Sequence, residues 1–430
     1  MNKKIILLGA LITAFMIGGC SSGSGNAGTG NESSGGQASK GTKTISMIGW
    51  YEEGIMNDAI TKINESLDGY KLEYTFVNLK QYNNVLSTQL AAGEGPDIVM
   101  DGASFPARIK AGNLIDISNE AYVADFNEAG LALSTSANGK VYGIPAYGWY
   151  SGVWYNKEIF AKYNLTPPQT FDELLAVSQT LTDNGVQPLG FGLSDSDTAW
   201  HSLIGYLENA YYNGGKATTA FDTQFAKGET TLSGHLNSYV DEWAQLIDKG
   251  FINEKMLGIS GEQVIPEFIS GEIAMFNGGP WQYTQLKESG MEFGMFSHVG
   301  NDKDNRWLVG GPAANFGINK NSENMEGAKA ALKLFGSKEV QQSILKSNPG
   351  GFSYFKGLDS ELPEEYSAIK EILEAGRVGV SWDRWGTNMP AQSLIDEGLK
   401  QLQGMVAGMT TTEQFLKAMD DKANLIRYKD

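Results

Sequence analysis

The hydrophobic residues near the start of the folded region recur with two alternating periods. Apolar residues within 45–48, 72–76 and 97–100 form the short or alternating runs that are typical of strands. Between them, one helix is predicted to begin at the capping residue Asn57, and a second helical run lies at 85–90. The order β-α-β-α-β predicts a mainly parallel sheet covered by helices. In such sheets, ligands bind beyond the carboxyl ends of the strands.

The rest of the chain alternates in the same way. Thr170–Glu173 and Thr411–Gln414 each have the pattern of a capping box that opens an amphipathic helix. Helices rich in aromatic residues are predicted over about 199–212 and 235–249, and 268–276 indicates a helix end that leads into a strand. The whole region is longer than one hydrophobic core usually covers, so we expect two lobes.

The N-terminus has the pattern of a secretory signal. Lys3 and Lys4 precede an uncharged, mostly apolar run that ends in small residues. The last four residues of this pattern, Ile17-Gly18-Gly19-Cys20, resemble a bacterial lipobox, in which the cysteine is lipidated and becomes the mature N-terminus. We therefore predict a lipoprotein signal peptide over 1–19 and a lipid anchor on Cys20. A plain signal peptide or a short membrane span is the alternative, although the apolar run is short for a span.

A flexible segment is predicted after the anchor. Residues 20–43 hold the lipidated cysteine and a stretch rich in glycine and serine that contains no large hydrophobic residue. Such a stretch cannot bury apolar area and acts as a linker. The folded part should therefore begin near Thr44, tethered to the extracellular face of the cell membrane.

Composition and charge narrow the classes of ligand. The chain carries a formal net charge of −17, with 41% hydrophobic and 19% charged residues. An acidic chain of this kind is a poor binder of nucleic acid and of anionic lipid head groups. Cys20 is the only cysteine, so disulfides within the chain and cysteine-ligated metals are excluded once it is lipidated. A neutral or polar small ligand is the remaining expectation.

Several motifs occur in the order and spacing of a known family. They are Ala92–Val99, Tyr155–Glu158 with Pro168–Leu174, Gly271–Met275 with Gly278–Trp281, and Gly310–Gly311 with Gly317–Ser322. Together with the lipobox, they make the chain resemble the extracellular solute-binding proteins of ABC sugar importers, the family 1 that includes maltose-binding proteins. The resemblance covers about 44–430. The segment after Asp101 and the loop 193–201 follow no subfamily pattern, so the resemblance does not name the ligand.

The resemblance implies a two-lobed α/β fold of the periplasmic-binding-protein type. Each lobe would be a mainly parallel sheet covered by helices, with crossover hinge segments between them. Residues 44–150 plus about 305–350 would form lobe 1, and residues 151–304 plus about 351–430 would form lobe 2. The ligand would bind in the cleft between the lobes. The expected protein is a monomer that delivers an oligosaccharide to the permease subunits of an ABC transporter in the membrane.

Aromatic residues are the first candidates for ligand binding, because the apolar face of a sugar ring packs on a flat aromatic surface. The candidates are Trp50, Trp149, Tyr150, Trp200, Trp281, Trp307 and Trp382. Core packing is the alternative for each of them, and a buried helix start explains Trp200 equally well. For Trp281 the resemblance favours the ligand, since this position carries the sugar-stacking tryptophan in maltose-binding relatives. If several of these rings line one groove, an oligosaccharide is favoured over a monosaccharide.

Charged residues are the second group of candidates, because sugar hydroxyls need directed hydrogen-bond partners. The candidates are Glu53, Asp101, Asp197, Asp383 and Arg384. Asp101 is the first choice, since it follows a predicted strand and matches the ligand loop of the family. An arginine beside a tryptophan, as at 306–307 and 384–385, can also bind a carboxylate. An acidic sugar therefore remains an alternative ligand.

Enzymatic motifs are absent from the sequence. It contains no His-Glu-x-x-His and no phosphate loop, and its three histidines are far apart. No pair of acidic residues lies in a glycosidase motif. We therefore expect a binding protein that is not an enzyme and needs no cofactor or metal. A binding protein for a non-sugar solute and a sensory lipoprotein without transport remain alternatives.

Overall fold

The computed structural model describes residues 41–194, 198–213, 217, 220–380, 384–385 and 389–428. The compact unit extends from Thr42 to Asp430, and its first strand begins at Lys43, next to the predicted start of the folded part. Cys20, the signal peptide and most of the predicted linker lie outside the described residues. Within the described ranges, no helix is both long and apolar enough to cross a membrane.

The described elements alternate between strands and helices along most of the chain. The strands are β1 (Lys43–Gly49), β2 (Tyr70–Phe76), β3 (Ile98–Asp101), β4 (Gly143–Pro145), β5 (Gly148–Asn156), β6 (Gln187–Gly190), β7 (Ile273–Gly278), β8 (Phe293–Phe296), β9 (Leu308–Pro312), β10 (Asn315–Ile318) and β11 (Val378–Val380). The α-helices are α1 (Glu53–Ser66), α2 (Leu79–Ala92), α3 (Phe105–Lys110), α4 (Glu128–Leu131), α5 (Lys157–Lys162), α6 (Phe171–Asp183), α7 (Thr198–Leu207), α8 (Phe221–Lys227), α9 (Asn237–Asp248), α10 (Gly261–Ile269), α11 (Tyr283–Glu288), α12 (Met325–Phe335), α13 (Lys338–Lys346), α14 (Lys370–Glu374), α15 (Ala391–Val406) and α16 (Thr412–Ile426). Short 3-10 helices cover Ala121–Asp125, Ala132–Ser134, Glu254–Gly258, Pro280–Gln282 and Glu364–Ile369, and a π-helix covers Glu208–Tyr212.

The first sheet has the strand order β2-β1-β3-β10-β4. β1 is parallel to both of its neighbours, whereas β10 is antiparallel to β3 and β4. One face of this sheet packs against α1, α12 and α13, and the other packs against α2 and α3. The predicted β-α-β-α-β segment therefore supplies β1, β2 and β3 of this sheet.

The first helix begins earlier than the sequence pattern predicts. α1 starts at Glu53 rather than at Asn57, and Glu52 occupies the N-cap position without a side-chain cap bond. The reason is Met56, which is fully buried and extends the apolar face of the helix by one turn toward its N-terminus. The free energy gained by burying the Met56 side chain is larger than the stabilisation that an N-cap at Asn57 would give.

The second sheet has the order β11-β9-β5-β7-β6, and β8 pairs with the far end of β5. Its larger core packs against α6, α7, α9, α15 and α16. The opposite face packs against α10, α11, α14 and the 3-10 helix Glu364–Ile369. Side chains of β5 alternate between these cores, with Val153 in the larger core and Tyr150 and Trp154 in the smaller one.

Two neighbouring strands pass from one sheet into the other. β4 continues into β5, and β9 continues into β10, so that the antiparallel pairing of Pro145 with Asn315 keeps its register up to the pairing of Gly148 with Pro312. Backbone bonds at Ala146 and Ala313 fill the interval. The backbone pairing of these two segments is therefore continuous across the crossing.

A third crossing lies on one side of these strands. Phe352 exchanges two backbone hydrogen bonds with Gly148, of 2.6 and 3.1 Å, and its ring packs against cores of both sheets. Tyr354 then packs in the core of the first sheet. The structure thus differs from the predicted lobe boundaries at two places. Residues 308–312 pair within the second sheet, and Tyr354 packs with the first, because strand pairing decides where the chain crosses.

Candidate ligand site between the two sheets

The carboxyl ends of the strands in the two sheets face each other. β4 leaves the first sheet at the same edge where β1, β2 and β3 end, and it enters the second sheet as β5. β7 and β9 are antiparallel to β5, so they end at the edge where β5 begins. The crossing strands therefore connect two carboxyl edges, which are the edges where α/β sheets bind ligands.

Exposed hydrophobic side chains concentrate at these facing edges. Of the six exposed large hydrophobic residues in the described part of the chain, four lie there, and Met409 and Leu425 lie elsewhere. The four are Phe76 and Leu79 at the end of β2 and the start of α2, Trp281 shortly after β7, and Val380 at the end of β11. Exposed apolar surface that is concentrated at one place marks a binding surface more often than scattered residues do.

Three aromatic rings form the centre of the second sheet's edge. The ring centroids of Trp149 and Trp281 lie 5.8 Å apart with an interplanar angle of 63°. His201, on α7, lies 5.3 Å from the Trp149 ring and 6.4 Å from the Trp281 ring. Trp281 is 48% exposed, whereas Trp149 is half-buried and His201 is buried. The two indoles therefore form an angled apolar corner, supported from behind by an imidazole.

Gly279 determines where the Trp281 ring can lie. A Cβ atom at this position would be 2.0 Å from Cζ3 of Trp281 and 2.4 Å from the backbone oxygen of Tyr150. The indole ring therefore lies close against the Gly279 backbone, which only glycine permits. The Gln282 side chain accepts a hydrogen bond of 2.7 Å from the Gly279 N–H and fixes this short turn. One part of the ring is thus held by the backbone and the other part faces outward.

Trp50 occupies the facing edge of the first sheet. Its ring lies 4.9 Å from Tyr82 in an edge-on arrangement and 5.5 Å from Tyr51. A Cβ atom on Gly102 would lie 3.7 Å from its Cη2 atom, which places the ring beside the loop after β3. The half-buried Trp50 therefore lies where the sequence predicts, at the end of β1.

Asp101 lies at the predicted strand end, but protein groups already bind its carboxylate. Its Oδ2 atom accepts a hydrogen bond of 2.8 Å from Nε of Arg108, and its Oδ1 atom accepts one of 2.8 Å from the Gly102 N–H. Arg108 also donates to the Ser87 hydroxyl at 2.8 Å. Burial raises the pKa of Asp101, and the Arg108 guanidinium opposes that shift. The carboxylate therefore anchors the loop beside Trp50. Glu53 is exposed, at the first position of α1.

A buried histidine lies behind the second sheet's edge. Nε2 of His298 is 3.3 Å from the hydroxyl of Ser151 on β5. Burial lowers the pKa of His298 to about 3, with a smaller contribution from His201. The imidazole is therefore neutral at physiological pH.

Arg384 lies in an ion-pair cluster inside the second lobe. Its guanidinium binds the carboxylates of Glu208 and, at 2.7 Å, Asp222, and it stacks 3.9 Å above the Tyr212 ring. The Trp385 N–H donates to the same Asp222 at 3.0 Å. Burial raises the pKa of Glu208 to about 7, although Arg384 opposes that shift. Both carboxylates, of Glu208 and Asp222, lie far from Arg384 in the sequence.

Three other predicted aromatic residues lie away from the angled corner. Trp200 is 3% exposed and packs in the larger core, where its ring lies against Gly398 on α15. Tyr150 is fully buried and stacks on Phe352. These two positions correct the interpretation of both residues as ligand surfaces, because neither ring is exposed. Trp307 precedes β9, and its indole N–H donates to the Asn305 side chain at 2.9 Å. Gly311 on β9 pairs with Trp149, and four residues of strand, or roughly 13 Å, separate Trp307 from Gly311.

Three predicted candidates lie outside the described residues, and three exposed apolar residues at the facing edges were not predicted. Asp197, Trp382 and Asp383 lie outside the described residues. The sequence analysis missed Phe76, Leu79 and Val380. Their position at or near a strand end could have identified them as candidates, but the analysis used this criterion only for tryptophan and charged residues.

The groups that the site offers suit the binding of a small ligand. In the described ranges, no three side chains of His, Cys, Asp or Glu are grouped so that they could hold a metal ion. The edge offers flat apolar rings, the exposed carboxylates of Glu52 and Glu53, and backbone groups at strand ends. Such surfaces bind a neutral, partly apolar ligand.

Comparisons with known proteins agree with this architecture. Residues 50–342 match the sequence model of a family described as bacterial extracellular solute-binding protein. An uncharacterized ABC transporter extracellular-binding protein of Pyrococcus horikoshii is 28% identical over 194 residues, which are 42% of this chain and 44% of that protein. The aligned part thus spans less than half of that relative's length.

Two further proteins are similar over most of the chain. The polygalacturonan/rhamnogalacturonan-binding protein YtcQ of Bacillus subtilis is 24% identical over 401 residues, covering 86% of this chain and 78% of that protein. The solved structure of a chitin oligosaccharide binding protein has a TM-score of 0.73 at 23% identity and covers 88% of this chain and 98% of that one. The structural likeness confirms the two-lobed α/β fold. The matched family consists of binding proteins and not of enzymes, as the sequence analysis predicts. The chain belongs to the family of bacterial extracellular solute-binding proteins.

Proposed function

We propose that this protein is the lipid-anchored carbohydrate-binding component of an ABC importer. It captures a neutral oligosaccharide between the facing edges of its two sheets and delivers it to the membrane permease. The observation that carries the proposal is the angled corner of Trp149 and Trp281, with its half-exposed ring. An aromatic face of this kind matches the apolar face of a sugar ring.

An oligosaccharide is favoured over a single sugar because apolar surface is available on both edges. Trp50, Phe76 and Leu79 line the first sheet's edge, and Trp281 and Val380 line the second. A ligand that contacts both edges at once needs more than one ring. The names of the similar chitin oligosaccharide binding protein and of the polygalacturonan/rhamnogalacturonan-binding protein support a saccharide of several units.

A neutral sugar is favoured because the arginines that could bind a uronic acid already bind protein groups. Arg384 is engaged by two carboxylates, and Arg108 is engaged by Asp101. Arg306 donates from Nε to the Lys303 carbonyl at 3.0 Å. An acidic saccharide is the second candidate, and the resemblance to the polygalacturonan/rhamnogalacturonan-binding protein is the observation that favours it.

The mechanism that we propose is capture by closure. A ligand that contacts both sheet edges binds the closed arrangement better than the open one and shifts the population toward it. The crossing strands and the segment around Phe352 act as the hinge, since they are the covalent links between the two sheets. The permease would recognise the closed form. Lipid on Cys20 would keep the protein at the extracellular face of the membrane, and the Gly/Ser-rich linker would let it reach its partner.

Uptake of labelled sugars by intact cells tests the proposal. Cells that lack this protein should lose uptake of one neutral oligosaccharide, such as maltotriose, raffinose or chitotriose. Expression of the natural chain should restore uptake, and expression of the Trp281→Ala variant should not. Unchanged uptake in the deletion strain would favour the sensory lipoprotein. Uptake of oligogalacturonides alone would favour the acidic sugar.

A further inference from the structure

A cation–π contact joins the two lobes at a distance from the crossing strands. Nζ of Lys110, the last residue of α3, lies 3.9 Å from the centroid of the Tyr428 ring. α3 packs on the first sheet, and Tyr428 follows α16, which packs in the larger core of the second. An ammonium group over an aromatic face at this distance is attracted by the ring quadrupole.

The residue before Tyr428 is bound to the second lobe, so Tyr428 is held to that lobe at the end of α16. Arg427 donates from Nε and Nη2 to the Phe225 carbonyl, at 3.2 and 2.8 Å, and its guanidinium also bonds the Asn424 side chain. The Tyr428 ring is half-buried. Because the tyrosine is attached to α8 through its neighbour, the contact with Lys110 depends on the position of the first lobe relative to the second.

The contact lies on the side of the molecule opposite the segment around Phe352. Phe352, in the third crossing, packs against the cores beneath α1 and α10, so it marks the side where the chain links the lobes. α3 and α16 cover the opposite faces of the two sheets. Trp50 contacts Tyr82 on that same side.

We propose that Lys110 and Tyr428 form a latch that stabilises the closed arrangement of the lobes and thereby raises the affinity for the ligand. The proposal rests on capture by closure as the function, because only then does the lobe equilibrium set affinity. A contact made only in the closed arrangement lowers the apparent dissociation constant by the factor by which it shifts that equilibrium. The interaction between an exposed ammonium and a ring corresponds to roughly a two- to fivefold change.

Distances between spin labels in the ligand-free protein test the latch without any sugar. Labels at Thr88→Cys on α2 and Asp421→Cys on α16 report the separation of the lobes, in the full chain carrying Cys20→Ser. Both residues are exposed. Lys110→Ala and Tyr428→Ala should each move the distance distribution toward longer values. Unchanged or shorter distances would overturn the latch.

Two variants control for the loss of a charge or a hydroxyl. Lys162 lies 4.9 Å above the Tyr163 ring within one lobe, so Lys162→Ala removes a lysine–tyrosine contact that cannot latch the lobes. Tyr428→Phe keeps the aromatic face and removes the hydroxyl. Both should leave the distances unchanged, and a shift in either equal to that of Lys110→Ala would contradict the proposal.

Calorimetry with maltotriose, raffinose and chitotriose then links the latch to capture. For whichever of these sugars binds, Lys110→Ala should weaken the affinity about two- to fivefold, and Lys162→Ala should not. Tighter binding by Lys110→Ala would mean that the contact favours the open arrangement and would refute the latch. If none of the sugars binds while the distances shift as expected, the latch stands and the sugar proposal fails.

Discussion

Replacing Trp281 by alanine should weaken ligand binding far more than it alters the fold. A tryptophan side chain offers roughly 200–250 Å² of contact area. Since Trp281 is 48% exposed, about 100 Å² remains for a ligand to cover. At about 25 cal/mol per Å², complete coverage contributes about 2.5 kcal/mol, which corresponds to roughly a 60-fold change in the dissociation constant. The buried half of the ring contributes to folding by a similar amount at most.

Isothermal titration calorimetry on the purified protein measures this loss, and circular dichroism checks that the variant is folded. Trp281→Phe should retain part of the affinity, because a smaller ring still covers one sugar face. Trp307→Ala is the matched control, since it removes a half-buried tryptophan that lies away from the angled corner. A folded Trp281→Ala variant with natural affinity, or an equal loss in Trp307→Ala, would refute the assignment of the site.

Three further predictions concern stability and location. Burial lowers the pKa of His298 to about 3, so the stability that its neutral form contributes is complete above pH 6.5 and is lost as the pH falls toward 3. Urea unfolding at pH 7 and pH 5 should therefore show a smaller acid-induced loss of unfolding free energy in His298→Gln than in the natural chain. Arg384→Met leaves Glu208 buried without its cationic partner and should lower the unfolding free energy by about 3–5 kcal/mol, whereas a loss below 1 kcal/mol in urea unfolding would contradict the ion-pair account. Cys20→Ser should move the protein out of the membrane fraction of cells, and retention there would exclude the lipid anchor.

The sequence was most informative where local signals and burial agree. Thr411 caps α16 through a complete capping box with Gln414, and Leu416, Met419 and Ala423 on its apolar face are buried. Thr170 likewise caps α6, although the Glu173 side chain binds the backbone of Gln169 and not that of Thr170. Trp243 is 1% exposed, in agreement with its position on an amphipathic helix. In these helices the pattern of apolar residues and the capping residues indicate the same start.

The sequence was least informative where long-range contacts decide. Nothing near Arg384 in the chain points to Glu208, which lies on a π-helix far earlier in the sequence. The corner of Trp149 and Trp281 depends on the antiparallel pairing of β5 with β7 and on the space beside Gly279. Pairing between distant strands leaves no trace in local periodicity, so the sequence could nominate both tryptophans but could not bring them together.

The most direct test of the account is a calorimetric titration of the natural protein with neutral oligosaccharides of graded length, compared with oligogalacturonides and free amino acids. The account predicts saturable binding to one neutral series, with a dissociation constant of about 1 μM or tighter, which corresponds to about −8 kcal/mol. Affinity should rise from one to three sugar units as the ligand reaches both sheet edges. No heat with any saccharide, together with binding of a non-sugar solute, would contradict the assignment and leave only the two-lobed fold in place.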